Sequence, residues 1–214
     1  MKNFHSKEIK VSIIIPAYNA GLFLERAIRS CINQSISREK FEIIVVNDCS
    51  KDATNKICKL WGNEIIYLEN KMNKGLPYTL NKGVESSKGL YIVRLDADDF
   101  LHEDFLKILS VYLDLNADIQ LVECDYFIYK KYNRTRCSQI KNPIGCANMI
   151  RKDYLVSIGL YNVKFKMAEE IELRARMDKD LFGYINMPLY RYYKHNSNMT
   201  LDKKKYNRYK KKIK

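Results

Sequence analysis

Nowhere in this sequence do two cysteines form a CxxC pair, and the six present (31, 49, 58, 124, 137 and 146) show no zinc-like spacing. A metal ribbon or a CxxC redox motif is therefore excluded. Cys31 and Cys58 fall within helical patterns and read as reduced core thiols of a cytosolic protein. Long apolar runs are missing too. Residues 13–15 and 42–46 are among the longest, far short of the ~20 residues that span a bilayer. Residues 1–10 are polar, without the apolar stretch of a signal peptide, so the expected location is the cytoplasm. No glycine-rich, Lys- or Arg-bearing loop follows the first strand pattern, where residues 16–22 read Pro-Ala-Tyr-Asn-Ala-Gly-Leu. That absence counts against a nucleotidyltransferase.

What is present suffices for one well-buried α/β domain. The chain has 214 residues, of which 46% are hydrophobic, enough to exclude wholesale disorder and short for two domains. Net charge is +13, and eight of those charges (Lys203, Lys204, Lys205, Arg208, Lys210, Lys211, Lys212 and Lys214) lie in residues 203–214 with no acid among them. The reading is a domain over 1–202 and a basic tail over 203–214. Such a tail can attract an anionic membrane surface at about 1 kcal/mol per residue, which would place the protein peripherally on the inner face of the cell membrane. It can equally bind nucleic acid nonspecifically, or simply be a solvated terminus.

Apolar periodicity gives the order of elements. Residues 11–15 are a strand stopped by Pro16, and Leu24, Ala27, Ile28, Cys31 and Ile32 mark one face of a helix. Residues 41–46 and 65–68 are strands around a helix bearing Ile57, Leu60 and Trp61. Residues 76–85 read as a helix that tolerates Pro77 in its first turn, with Gly83 weakening its end. A buried strand over 90–95 precedes a helix whose face carries Phe105, Ile108, Leu109, Tyr112 and Leu113. Strands follow at 119–129, 145–150 and 188–193, with a basic loop over 132–141 and helices over 151–159 and from 168. This alternation predicts parallel pairing with right-handed crossovers. It also sets Tyr18-Asn19, Asn47-Asp48 and Asp96–Asp99 past strand ends, on one rim of the sheet.

Asp96, Asp98 and Asp99 are three carboxylates within four positions. Alternation along an extended segment turns Asp96 and Asp98 to one side, where two hard oxygens suit Mg²⁺ or Mn²⁺ held jointly with a substrate's phosphates. The alternative is a solvated turn with Asp99 or a neighbour capping the next helix. Farther on, Glu170–Arg174 and Glu172–Arg176 have the i, i+4 spacing of helix ion pairs.

The segment Val11-Ser12-Ile13-Ile14-Ile15-Pro16-Ala17-Tyr18-Asn19, with Glu25 and Gln34 downstream, resembles the opening of the family 2 glycosyltransferases. Asn47-Asp48-Cys49-Ser50-Lys51-Asp52, Asn73-Lys74-Gly75 with Asn81-Lys82-Gly83, and Asp96-Ala97-Asp98-Asp99 continue the likeness in order, from about residue 10 to 200. The resemblance implies a GT-A fold, a single domain with a Rossmann-like mixed sheet flanked by helices. It further implies a nucleotide-diphosphate sugar donor, foremost a UDP-sugar, and a divalent metal. The sugar would pass with inversion to a hydroxyl of a saccharide or lipid-linked acceptor, in bacterial surface polysaccharide or glycolipid synthesis.

By motif position, Pro16, Tyr18, Asn19, Asp48, Asn73, Gly75, Asp96 and Ala97 would line the donor, and Asp98 would ligate the metal. A lone histidine is more often structural than a ligand, but residues 195–200 resemble the family's ending, which puts His195 by the diphosphate or metal. Glu169-Glu170-x-x-Leu173-x-x-Arg176 resembles Glu-Asp-x-x-Leu-x-x-Arg, whose second acid is the usual base. That acid is Glu170 here, one methylene longer; Glu169 beside it is the second catalytic candidate, and would otherwise cap or face solvent. Two departures stand out. Cys49 replaces the family's usual glycine, and Thr79-Leu80 replace alanine and arginine before Asn81, so an arginine contact to the donor is lost.

An inactive relative would show such departures too. A basic nucleic-acid-binding protein would interleave basic and aromatic residues across a folded face. Residues 126–136 do so, but the charge concentrates in the tail, and no specific nucleic-acid partner is expected.

Overall fold

The computed structural model describes residues 8–196 and 198–213. Most of the polar start, Ser197 and the tail's last lysine, Lys214, lie outside the described residues. Four parallel strands, β1 (Val11–Ala17), β2 (Phe41–Asn47), β3 (Ile66–Glu69) and β4 (Tyr91–Arg94), are linked by α1 (Leu24–Ile32), α2 (Thr54–Leu60) and α3 (Leu76–Ser86). The second half adds β5 (Phe100–Leu101), α4 (Phe105–Leu115), β6 (Leu121–Lys130), β7 (Asn133–Cys137), β8 (Asn148–Arg151), α5 (Lys152–Ser157), α6 (Glu169–Ala175), β9 (Phe182–Tyr193) and α7 (Lys203–Lys210). One sheet results, ordered β3-β2-β1-β4-β8-β6-β9-β5, with β7 hairpinned onto β6. Strand β8 runs antiparallel to β4 and β6, so the sheet is mixed.

Both faces of the central strands are buried, which is why residues 13–15 of β1 and 43–46 of β2 are unbroken apolar runs. Ile13, Ile15, Ile43 and Val45 pack with Leu24, Ala27, Ile28 and Cys31 of α1 and with Leu109 and Leu113 of α4. Ile14, Ile44 and Val46 face Leu80 and Val84 of α3. Each fully buried aliphatic side chain stabilises by about 1.5–3 kcal/mol. Gly83 has a packing reason: a Cβ there would lie 2.4 Å from Ile14 Cγ2, so only glycine lets α3 approach β1. Leu80, standing where the family usually has arginine, is 1% exposed in this second core.

Several expectations need correction. The basic loop over 132–141 contains β7, a five-residue strand paired to β6 from Tyr126 to Lys130. Leu60 is exposed rather than buried on its helix face. Arg174 does not pair with Glu170; it reaches Glu123 on β6, whereas Glu172–Arg176 forms as spaced. Residues 203–210 are helical, with Asp202 capping through Lys205 N at 3.0 Å.

Candidate active site

The loops after β1 and β2 are tied together at the carboxyl rim. Asn19 donates its backbone N–H to Ser50 Oγ (2.9 Å) and accepts Lys51 N on its side chain (2.8 Å). Asp52 accepts Gly21 N at 2.8 Å. Asp48, 4% exposed, accepts Lys74 N, Gly75 N and Asn70 Nδ2, each at 2.8 Å. Its carboxylate thus draws the 73–75 turn onto β2, with Gly75 at φ 87 as only glycine comfortably allows. Tyr18 stands exposed beside these loops, Asn73 is exposed on its turn, and Pro16 and Ala97 are buried.

Cys49, in the family's glycine position, has φ 62. A side chain there crowds the following carbonyl and costs roughly 1–2 kcal/mol. Cys49→Gly should therefore stabilise the protein by about 0.5–1 kcal/mol after glycine's larger unfolded-state entropy is subtracted. Thermal denaturation measures it, and a lowered midpoint would refute the strain.

The acidic loop is a turn, closed by Asp99 N to Asp96 O at 3.0 Å, so strand alternation does not govern it. Its three carboxylates point to three partners. Asp96 takes Nε (2.7 Å) and Nη2 (3.1 Å) of Arg94, whose Nη1 donates to Glu169 Oε1 at 2.9 Å. Burial alone would lower the Arg94 pKa; Asp96 and Glu169 reverse this and keep the guanidinium charged. Asp99 is fully buried and accepts Tyr190 Oη and Tyr193 N, both at 2.7 Å, which ties the loop to β9. It neither caps a helix nor meets solvent. Asp98 Oδ2 lies 2.8 Å from His195 Nε2 and accepts Asn198 Nδ2 at 3.0 Å. Arg26 donates Nη2 to the Asp98 carbonyl at 2.5 Å, its guanidinium carbon 4.7 Å from the Phe100 ring centre and 4.4 Å from that of Tyr193.

Which of these groups suits a divalent cation follows from their chemistry. Asp96, Asp99 and Cys146 approach one another, but Arg94 and the two tyrosines already engage the carboxylates, and burial pushes the Cys146 thiol well up. Asp98 is engaged as well, by His195 and Asn198, but its imidazole partner is itself a metal-ligating group. Burial, then the charge of Asp96, raises its carboxyl pKa. A hard oxygen beside an imidazole nitrogen is a fitting donor pair for Mn²⁺ or Mg²⁺.

On the other side of Arg94, Ala168 at φ 58 starts α6. Glu169 turns inward to Arg94 at 4% exposure, instead of capping or facing solvent. Glu170 is half-buried and accepts Tyr206 Oη of α7 at 2.8 Å. Gly145 lies between the two sides: a Cβ there would come within 2.9 Å of Arg94 Nη1 and 3.0 Å of Glu170 Cβ. Arg26, Arg94 and Tyr206 were not marked by the motifs, and Asn198 lies in the 195–200 stretch without having been given a role. Arg94 alone left a signal, as a single charge within an apolar strand run.

The profile of glycosyl transferase family 2 matches residues 12–195. The minor teichoic acid biosynthesis protein GgaB of Bacillus subtilis is 31% identical over 204 residues, covering 85% of this chain and 22% of that protein. The poly(ribitol-phosphate) β-N-acetylglucosaminyltransferase TarP of Staphylococcus aureus is 31% identical over 171 residues, covering 73% and 52%. The chain thus spans about a fifth of one relative and half of the other. Among solved structures, S. aureus TarS 1–349 in complex with UDP-GlcNAc superposes with TM-score 0.81 at 18% identity, over 91% of this chain and 61% of that one. A Pyrobaculum calidifontis mannosyltransferase in complex with GDP-Man and Mn²⁺ gives 0.68 at 17%, over 86% and 56%. The profile match runs from β1 through β9 and takes in the rim loops between them, and the mixed sheet superposes on those of solved glycosyltransferases: this chain belongs to glycosyl transferase family 2.

Proposed function

We propose that this chain transfers a sugar, with inversion, from a UDP-sugar to an acceptor hydroxyl in the synthesis of a bacterial surface polymer, with a divalent metal. The observation that carries this reading is the pairing of Asp98 with His195 on the same rim as Glu170, separated by the Arg94 ion-pair network and Gly145. The names of GgaB and TarP and the UDP-GlcNAc complex of TarS support the polymer and donor classes.

Tyr18 would stack on the donor's base, and Asn19, Asn73 and Gly75 with Pro16 and Ala97 would shape its cleft. Asp48 and Asp96 would read the nucleoside, Asp48 by holding the 73–75 turn in place. Asp98 and His195 would hold the cation, which supplies charge neutralisation at the leaving diphosphate. Glu170 would take the proton from the acceptor hydroxyl as that oxygen attacks the anomeric carbon from the face opposite the leaving group. Fixed charge and positioning should supply more of the rate than proton removal. Residues 1–202 would form the bulk of the catalytic domain, with the basic tail, residues 203–214, following it. The exposed lysines of 203–213 would rest on an anionic membrane surface from the cytoplasmic side; among the described residues no helix is long and apolar enough to cross a membrane.

Calorimetry of UDP with Mn²⁺ and with EDTA tests the donor site. Tighter binding with metal is expected, and Asp98→Ala should reproduce the EDTA result in the presence of Mn²⁺. Equal affinity in EDTA would refute the metal role. Failure of every nucleotide sugar in a thermal-shift panel to raise the melting temperature would sink the donor reading.

A further inference from the structure

We propose that Tyr206 of α7 is a positioning residue for Glu170, so that the basic C-terminal segment completes the active site. This rests on the reading of Glu170 as the base. The tyrosine hydroxyl donates to Glu170 Oε1 at 2.8 Å, and no second side chain among the described residues makes a hydrogen bond to that carboxylate. A phenol donating to a carboxylate is a charge-assisted bond, shorter and stronger than a neutral one. It fixes one oxygen and leaves the other to meet the acceptor.

Helix α7 is seated well enough to do this. Asp202 caps its first turn, Tyr206 is partly covered, and the Tyr209 ring lies 6.3 Å from that of Phe165, in the segment leading into α6. Its lysines and Arg208 are exposed, so the helix presents its tyrosines to the domain and its charge to solvent. Burial, followed by the charge of Glu170, pushes the Tyr206 hydroxyl pKa up, so the phenol keeps its proton and remains a donor throughout the working range.

The pairing also accounts for the extra methylene of Glu170. A glutamate has one more freely rotating bond than the aspartate usual at this position, and an unheld carboxylate would seldom point at the acceptor. Tyr206 removes that freedom. Glutamate and tyrosine then form a matched pair, whereas a shorter acid at 170 would fall short of the phenol and be held by its own stiffness.

A double-substitution cycle with an independent spectroscopic measurement tests this. Tyr206→Phe keeps the ring packing and deletes only the hydroxyl. With UDP-N-acetylglucosamine as donor and water as acceptor, it should lower kcat of UDP release about tenfold while the donor KM stays within twofold. In a Glu170→Asp background the same change should cost less than twofold, because the pair is already broken. Equal loss in both backgrounds would make Tyr206 merely structural and overturn the proposal.

Separately, [13Cζ]tyrosine labelling reads the contact without turnover. The Tyr206 resonance, assigned by its disappearance in Tyr206→Phe, should move in Glu170→Gln; a resonance that stays in place overturns the proposal even if the donor is not turned over. The base reading fails on a different result, wild-type turnover by Glu170→Gln. A moved resonance with full turnover in that variant would therefore keep the contact and discard its catalytic purpose.

Discussion

Glu170→Gln is expected to lower turnover by roughly 10²–10⁴-fold while UDP affinity, with metal present, stays at the wild-type value. The amide retains the shape of the carboxylate and can still accept from Tyr206 through its carbonyl oxygen, so the fold and the α6–α7 contact should survive. What it cannot do is take a proton. The comparison with Glu169→Gln is sharp because the two neighbours are used so differently. Glu169 is buried against Arg94, so its amide variant should lose stability; where the variant remains folded, it should lose less turnover. Single-turnover kinetics at saturating donor, alongside a melting curve for each variant, separates the two losses. If Glu170→Gln transfers sugar at the wild-type rate and the folded fraction of Glu169→Gln is dead, the base is the other acid. If both are active, the helix is an ion-paired scaffold.

Much of this site could be read from the sequence because its geometry is local to strand ends. The β-branched runs fix β1, β2 and β4 as buried strands, and the polar clusters after them must share a rim once the crossovers are right-handed. Features set by distant partners were not readable. Glu170 and Arg174 have ideal helix spacing, yet Arg174 turns to the buried Glu123 on β6, where a desolvated carboxylate gains more from a counter-charge than the less buried Glu170 does. Strand β7 was hidden because Asn-Arg-Thr-Arg-Cys has no apolar alternation, and its turn places Lys131 at φ 52 without a glycine to mark it. Tyr206 gave no warning either: α7 has no apolar stripe, only tyrosines among lysines.

Arg94 is the residue whose loss should be felt most in stability. Its side chain is 7% exposed and lies between Asp96 and the 5% exposed side chain of Glu169. Replacing it by methionine leaves Glu169 buried without its counter-charge, a change that typically costs about 3–5 kcal/mol out of roughly 5–15 kcal/mol for a whole domain. The deficit should also depend on pH, with a definite sign. Burial raises the Glu169 carboxyl pKa, and Arg94 opposes that rise. Removing the arginine must raise it further. A carboxyl with a folded pKa above its unfolded one binds its proton more tightly when folded, so stability falls as pH climbs from the unfolded value through the folded one. Arg94→Met should accordingly be nearest to wild type in mild acid, where Glu169 is neutral, and fall progressively behind as that carboxyl ionises. Adding Glu169→Met should recover much of the loss and flatten the pH dependence, because a buried apolar pair needs no counter-charge; Asp96, with its side chain 29% exposed, can be hydrated. Urea denaturation of the three proteins at pH 5 and pH 8 measures both effects. A deficit below about 1 kcal/mol, equal at the two pH values, would mean that Glu169 is solvated in solution and that the buried network does not hold α6 to the acidic loop.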